Sequence, residues 1–356
     1  MDRTESLLKA LTEASGVPGY EEEVRRVLRG VLEPLAQIEQ DRLGSLIARC
    51  PGQSERPRVA LAAHMDEIGF MVRSITKEGC LKFVPLGGWW DQVLLGQRVI
   101  VKTHQGDIPG IIGAKPPHVL KQEERAKVVP KEEMYIDIGA TSKAEAEAAG
   151  VRSGDPVVPA SAFAVMASGR AYLAKALDDR VGCALMVETL QALAQEALPN
   201  TLYGVATVQE EVGLRGATTS AHVVEPDVAI ILDVDIAGDL PGVEEDENPI
   251  ALGKGPTLIL YERSLIPNLK LRDLVIAVAE EEGIPLQFSA LTGGATDGGP
   301  FHLHREGVPT VVIGVPTRHI HSHGAIMHRS DYDHALHLVQ AVVRRLDAET
   351  VARLVQ

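Results

Sequence analysis

Apolar positions at helical spacing open the chain twice. The second set, Val24, Val27, Leu28 and Val31, follows Glu21, Glu22 and Glu23, whose charge suits a helix N-terminus. Short strands come next, the last an apolar run from Val59 to Ala63 that leads directly into His64-Met65-Asp66-Glu67. From residue 70 to 164 the texture changes to short alternating runs, such as Arg98 to Lys102, broken by Gly and Pro. That pattern predicts a small antiparallel β domain. Within it the charged stretch from Lys121 to Lys127 predicts a mobile loop. Asp178 to Leu198 is apolar nearly all round, which predicts a buried helix. Strands at 201–208 and 227–233 follow, then a helix carrying Leu271, Leu274, Val275 and Val278 and stopped by Gly283. A strand at 310–314 and a helix carrying Leu336, Val339, Val343 and Leu346 complete the pattern.

Strands and helices alternating on both sides of a β-rich block predict an α/β domain, residues 1–69 with 165–356, interrupted by an insert at 70–164. The length of 356 residues agrees with two units at roughly 150 residues each. A net charge of -14 argues against nucleic acid or an anionic membrane as the main partner. Cys50, Cys80 and Cys183 form no CxxC pair and sit among apolar neighbours, so they read as small buried hydrophobes. The N-terminus leads into an amphipathic helix rather than a leader's apolar core, and no stretch approaches the ~20 apolar residues of a membrane span. A cytoplasmic protein is expected.

Ionisable residues gather where strands should end, the usual place for α/β active sites. The segments are His64-Met65-Asp66, Asp178-Asp179, Glu210-Glu211, Asp233-Val234-Asp235 and His319-Ile320-His321-Ser322-His323. Each alone has an ordinary explanation: a surface His–Asp pair, a helix N-cap, a solvated turn, a strand end, a chance histidine tract. Five of them in one strand-end pattern do not. Carboxylates gathered at one sheet edge repel one another unless cations neutralise them. His and carboxylate donors without thiolate suit Zn, Co or Mn. A dinuclear site with a bridging carboxylate needs about five protein ligands, which matches these segments. Alternation along an extended 319–323 segment leaves His319, His321 and His323 all eligible.

At these residues the chain resembles the M42 metallo-aminopeptidases, the glutamyl and tetrahedral aminopeptidase group. The stretches are Ala62 to Gly69, Ala176 to Cys183, Gln209 to Ala217, Gly293 to Asp297 and Arg318 to Ser322, in order along the chain. The resemblance implies a mixed-sheet α/β/α metallopeptidase domain with a PDZ-like insert that mediates oligomerisation, and a homo-oligomer, a dodecamer in this family. It implies two divalent metal ions, zinc foremost and cobalt or manganese as alternatives. Asp178 would bridge them, His64 and Asp233 completing one shell, Glu211 and His321 the other. Glu210 would be the general base and Asp66 would orient His64, with Asp178-Asp179 joined by a cis peptide. The implied substrates are peptides with a free N-terminus, whose neutral α-amine can take an open metal position. His302, His304 and the preferred N-terminal residue receive no assignment. The nearest alternative is an M20-type carboxypeptidase or deacylase, which recognises a substrate carboxylate. A glycosidase leaves the histidines unexplained, and a non-catalytic peptide-binding assembly protein leaves Glu210 without a use.

Overall fold

Four parallel strands form the centre of the protein, and each is apolar because both its faces are covered. They run side by side as Thr201–Thr207, Arg58–His64, Val228–Ile236 and Thr310–Arg318. The computed structural model describes residues 1–290 and 292–356. Outside the parallel core, Leu46–Cys50 and Gln37–Gln40 extend one side of the sheet antiparallel, and Ala325–His328, Ala171–Ala174 and Ala164–Val165 extend the other. Thr257–Tyr261 pairs with both Thr310–Arg318 and Gln287–Ala290.

Helices pack on both faces. Arg3–Glu13, Glu22–Leu32, Leu177–Leu193, Leu269–Glu281 and Arg329–Arg345 bury their apolar sides against one face, around Leu61, Ile230 and Ile313. Arg215–Val224 and Gly298–His302 cover the other, around Ala62, Val205 and Ile231. The result is a mixed-sheet α/β architecture. Gly283, at φ 66, ends the Leu269–Glu281 turn as the pattern predicted.

Between Gly69 and Pro159 six strands close an antiparallel barrel in the order Gly69–Ile75, Leu81–Leu86, Tyr135–Asp137, Gly106–Gly113, Arg98–Thr103, Pro156–Pro159. Its own core contains Phe70, Phe83, Trp89, Val101, Ile112 and Val157.

Several boundaries differ from the pattern. The strand expected at 227–233 continues to Ile236, and that at 310–314 to Arg318, because the two pair without interruption to their ends. The long buried helix stops at Leu193 rather than Leu198, short of the Leu198-Pro199 pair that disfavours helix. Its first residues, Asp178 and Asp179, have non-helical φ/ψ, and their shared peptide bond is cis. The charged stretch at 121–127 contains a helical turn, Gln122–Arg125, fastened by the Lys121 N–H donating to the Glu124 carboxylate at 2.9 Å. Cys50 and Cys183 are buried thiols, whereas Cys80 is only half-buried. No helix among the described residues is long and apolar enough to cross a membrane.

Buried charge ties the outer helices to the sheet edge. Arg180 is fully buried and donates to the carbonyls of Leu11, Ala14, Gly16 and Met65. Lys175 Nζ lies 2.6 and 2.8 Å from the two Glu67 oxygens, with the Arg180 guanidinium 3.5 Å from the same carboxylate.

Candidate metal centre

Parallel strands deliver their C-terminal ends to one edge, and the register fixes what meets there. His64 ends its strand opposite Thr207, whose strand runs on into Glu210 and Glu211. Asp233 sits opposite Gly314, inside its strand rather than at the end. Asp178 comes from the irregular start of the Leu177–Leu193 helix, and His321 from the turn after Arg318.

These side chains converge. The His64 Nε2 is 3.1 Å from Asp178 Oδ1, and the His321 Nε2 is 3.4 Å from Asp178 Oδ2. Asp178 therefore shows one oxygen to each histidine. His321 Nε2 is 3.6 Å from Glu211 Oε1, and Glu210 Oε2 is 4.0 Å from His64 Nε2. One donor atom from each of His64, Asp178 and Glu211 lies within 4.8 Å of the others, and so does one from each of His64, Asp179 and Asp233. Asp179 has other work: it accepts the Gly182 N–H at 2.9 Å, capping the helix, and the His64 N–H at 3.1 Å.

The donor set fits a cation. The Nδ1–H of His64 donates to the Asp66 carbonyl at 2.9 Å and that of His321 to the Gly88 carbonyl at 2.7 Å. With Nδ1 so engaged, both rings aim Nε2 into the cluster, the nitrogen that would bind a cation on losing its proton. The carboxylates also crowd one another. Burial, then Asp178, pushes the Glu211 carboxyl up to about 8. Burial, then Asp178, likewise raises Asp233 well above the usual range. Burial works against Asp178 being charged, yet hydrogen bonds from His321 and His64 hold it low. Burial also opposes a charge on His321, but Asp178 and Glu211 lift it to about 10. Fixed positive charge is what these groups lack.

Asp66 meets the other ring nitrogen of His64, chiefly through its backbone. It is the backbone carbonyl that holds His64, while the nearer carboxylate oxygen stands 3.7 Å from Nδ1. The Asp66 carboxylate also accepts the N–H groups of Glu210 at 2.9 Å and Glu211 at 3.1 Å. The histidine run is not extended, so its side chains do not share a face: His319 and His321 have φ of 60 and 55. His319 is exposed, His321 enters the cluster, and His323 is buried against Trp89 with ring centroids 5.1 Å apart. Burial lowers His323 to about 4.

Three contributors had no assignment from the sequence. The barrel supplies the Gly88 carbonyl from a loop where a Cβ on Gly87 would stand 2.9 Å from Glu211 Oε2. Asp297, 1% exposed, accepts from the Thr207 hydroxyl and is raised by burial to about 6. Glu21, raised to about 7 by burial and then by Asp66, accepts the Gln209 N–H at 3.2 Å. Asp297 stood in a motif that flagged it; a backbone carbonyl and a glutamate in an N-terminal charge run carry no such signal.

Fold and site define a hydrolase of the metallopeptidase type. A family model described as M42 glutamyl aminopeptidase matches residues 44–338, and a second, AMPT, matches residues 2–28. The glutamyl aminopeptidase of Lactococcus lactis is 37% identical over 351 residues, 98% of each chain. The TET aminopeptidase of the marine sediment archaeon Thaumarchaeota archaeon SCGC AB-539-E09 superposes with a TM-score of 0.97 at 51% identity, over 99% of this chain and 100% of its own. The TET1 peptidase of Pyrococcus horikoshii, described as assembling into a tetrahedron or a large octahedral shell, gives 0.86 at 34% identity over 96% of this chain and 100% of its own. The chain belongs to the M42 family of aminopeptidases.

Proposed function

We propose that the protein removes residues from the free N-terminus of peptides with two divalent cations, zinc foremost and cobalt or manganese as alternatives, and Glu210 as general base. The convergence of His64, Asp178, Glu211, Asp233 and His321 on one sheet edge carries this reading. Asp178 would hold both cations, His64 and Asp233 one, Glu211 and His321 the other. When bound, the cations lower the pKa of a water and polarise the scissile carbonyl. Glu210 takes the proton that the water loses and passes it to the leaving amine. Asp66 fixes the backbone at Glu210 and Glu211 by accepting both their N–H groups. Ile68, Leu177 and Ile320 line a small recess beside Asp178, Glu211 and His321.

The test is a panel of aminoacyl-p-nitroanilides and short peptides, free and N-acetylated, given to verified metal-free protein with zinc, cobalt or manganese restored. Hydrolysis is expected only with metal and only on free N-termini, proceeding stepwise from that end. Equal rates on acetylated substrates, or release from the C-terminus, would remove the aminopeptidase reading.

Residues 1–69 with 165–356 are proposed as the catalytic domain, and 70–164 as a PDZ-like insert that joins subunits into a homo-oligomer, a dodecamer by likeness to the TET1 dodecamer and tetrahedron. Light scattering should give a mass well above 38.2 kDa, falling when residues 118–130 are deleted. A wild-type monomer would end this proposal.

A further inference from the structure

Three consecutive backbone N–H groups, of Gln209, Glu210 and Glu211, donate to two buried carboxylates. Asp66 accepts those of Glu210 and Glu211 at 2.9 and 3.1 Å. Glu21 Oε1 accepts that of Gln209 at 3.2 Å, together with the Gly19 N–H at 2.7 Å. Glu21 is 3% exposed, and among the described residues no lysine or arginine pairs with it. A fold pays heavily to bury a carboxyl group without a cation. Glu21 stands at the start of the Glu22–Leu32 helix, yet its side chain does not cap that helix. It reaches across to residue 209 instead.

Gln209 is where such an anchor is needed. Its φ of 56 lies in the left-handed region that residues with a side chain disfavour. Arg215 Nη1 fixes the Gln209 side chain at 3.0 Å, but the backbone N–H is held by Glu21. The next residue is Glu210, so the turn at Gln209 sets the direction in which that carboxylate points.

We propose that Glu21 is a positioning residue for peptide hydrolysis: by holding the Gln209 N–H it fixes the turn that aims Glu210 at the metal cluster. The inference rests on the reading of Glu210 as the base. Glu21→Ala removes the acceptor, and kcat is expected to fall about tenfold or more with KM and metal content unchanged. Glu21→Gln keeps an amide oxygen in the same place and should restore most of the activity. Glu21→Asp withdraws the acceptor by one methylene and gives the same reading should the alanine variant not fold. The decisive arm combines Glu21→Ala with Glu210→Gln. A residue that acts through Glu210 adds nothing once the base is gone, so the double variant should match Glu210→Gln alone. A further tenfold fall in the double variant overturns the proposal, as does loss of metal in Glu21→Ala or a Gln variant as poor as the Ala one. Full activity in Glu210→Gln overturns the reading of Glu210 itself, and that result is visible without touching Glu21.

Discussion

Glu210→Gln is expected to lower turnover by ~10²–10⁴-fold while the protein keeps its metal. The substitution preserves volume and removes only the proton acceptor. Glu211→Gln should behave differently. Glu211 lies 3.6 Å from His321 and within the donor group of His64 and Asp178. A neutral amide there is a weak ligand, so metal content should fall and excess metal should recover part of the rate. Excess metal should do nothing for the Glu210 variant. Elemental analysis beside rates at several metal concentrations separates the two. A Glu210 variant that loses metal and recovers with added zinc reverses the assignment of base and ligand.

The second large effect is on stability. Lys175→Met should destabilise the protein by ~3–5 kcal/mol, because it leaves the Glu67 carboxylate buried without its closest cation. Lys175 is fully enclosed at 4% side-chain exposure, Glu67 at 2%, and the remaining guanidinium of Arg180 stands further off, at 3.5 Å. Pairing the change with Glu67→Gln should recover a good part of the loss, since the charge that suffers is then gone. Denaturant midpoints for wild type, the single and the double variant give the answer. A Lys175 variant within ~1 kcal/mol of wild type, the ordinary effect of a point substitution, would show that Arg180 alone satisfies Glu67.

Much of this was written in the side-chain pattern. The central strands are apolar because they are buried on both faces, and their polar ends stood out for the same reason. What the pattern lacked is instructive. The Ala348–Leu354 helix buries only Leu354 and begins at Asp347, whose carboxylate accepts the Thr350 N–H at 2.7 Å, so it has a cap but almost no periodicity to read. The run His319 to His323 alternates on paper, but two left-handed backbone angles send its three histidines to three environments, and nothing in their residue types announces those angles. The groups that orient His64 and His321 are backbone carbonyls of Asp66 and Gly88, an atom every residue possesses. Residue type reveals donors to a cation; it does not reveal which peptide group turns a ring.

The hydrogen bond from His321 to Gly88 joins positions 233 apart in sequence. On the proposed ligand set, the donors begin at residue 64 and finish only at residue 321, after the last parallel strand. A polypeptide emerging from the ribosome folds its earlier parts first. At that stage it has the barrel and His64, but neither the imidazole that Gly88 receives nor the strand that flanks Asp233. Loop closure over such distances is also slow. On that ligand set the site is incomplete until residue 321 has been made and has joined the strands that precede it.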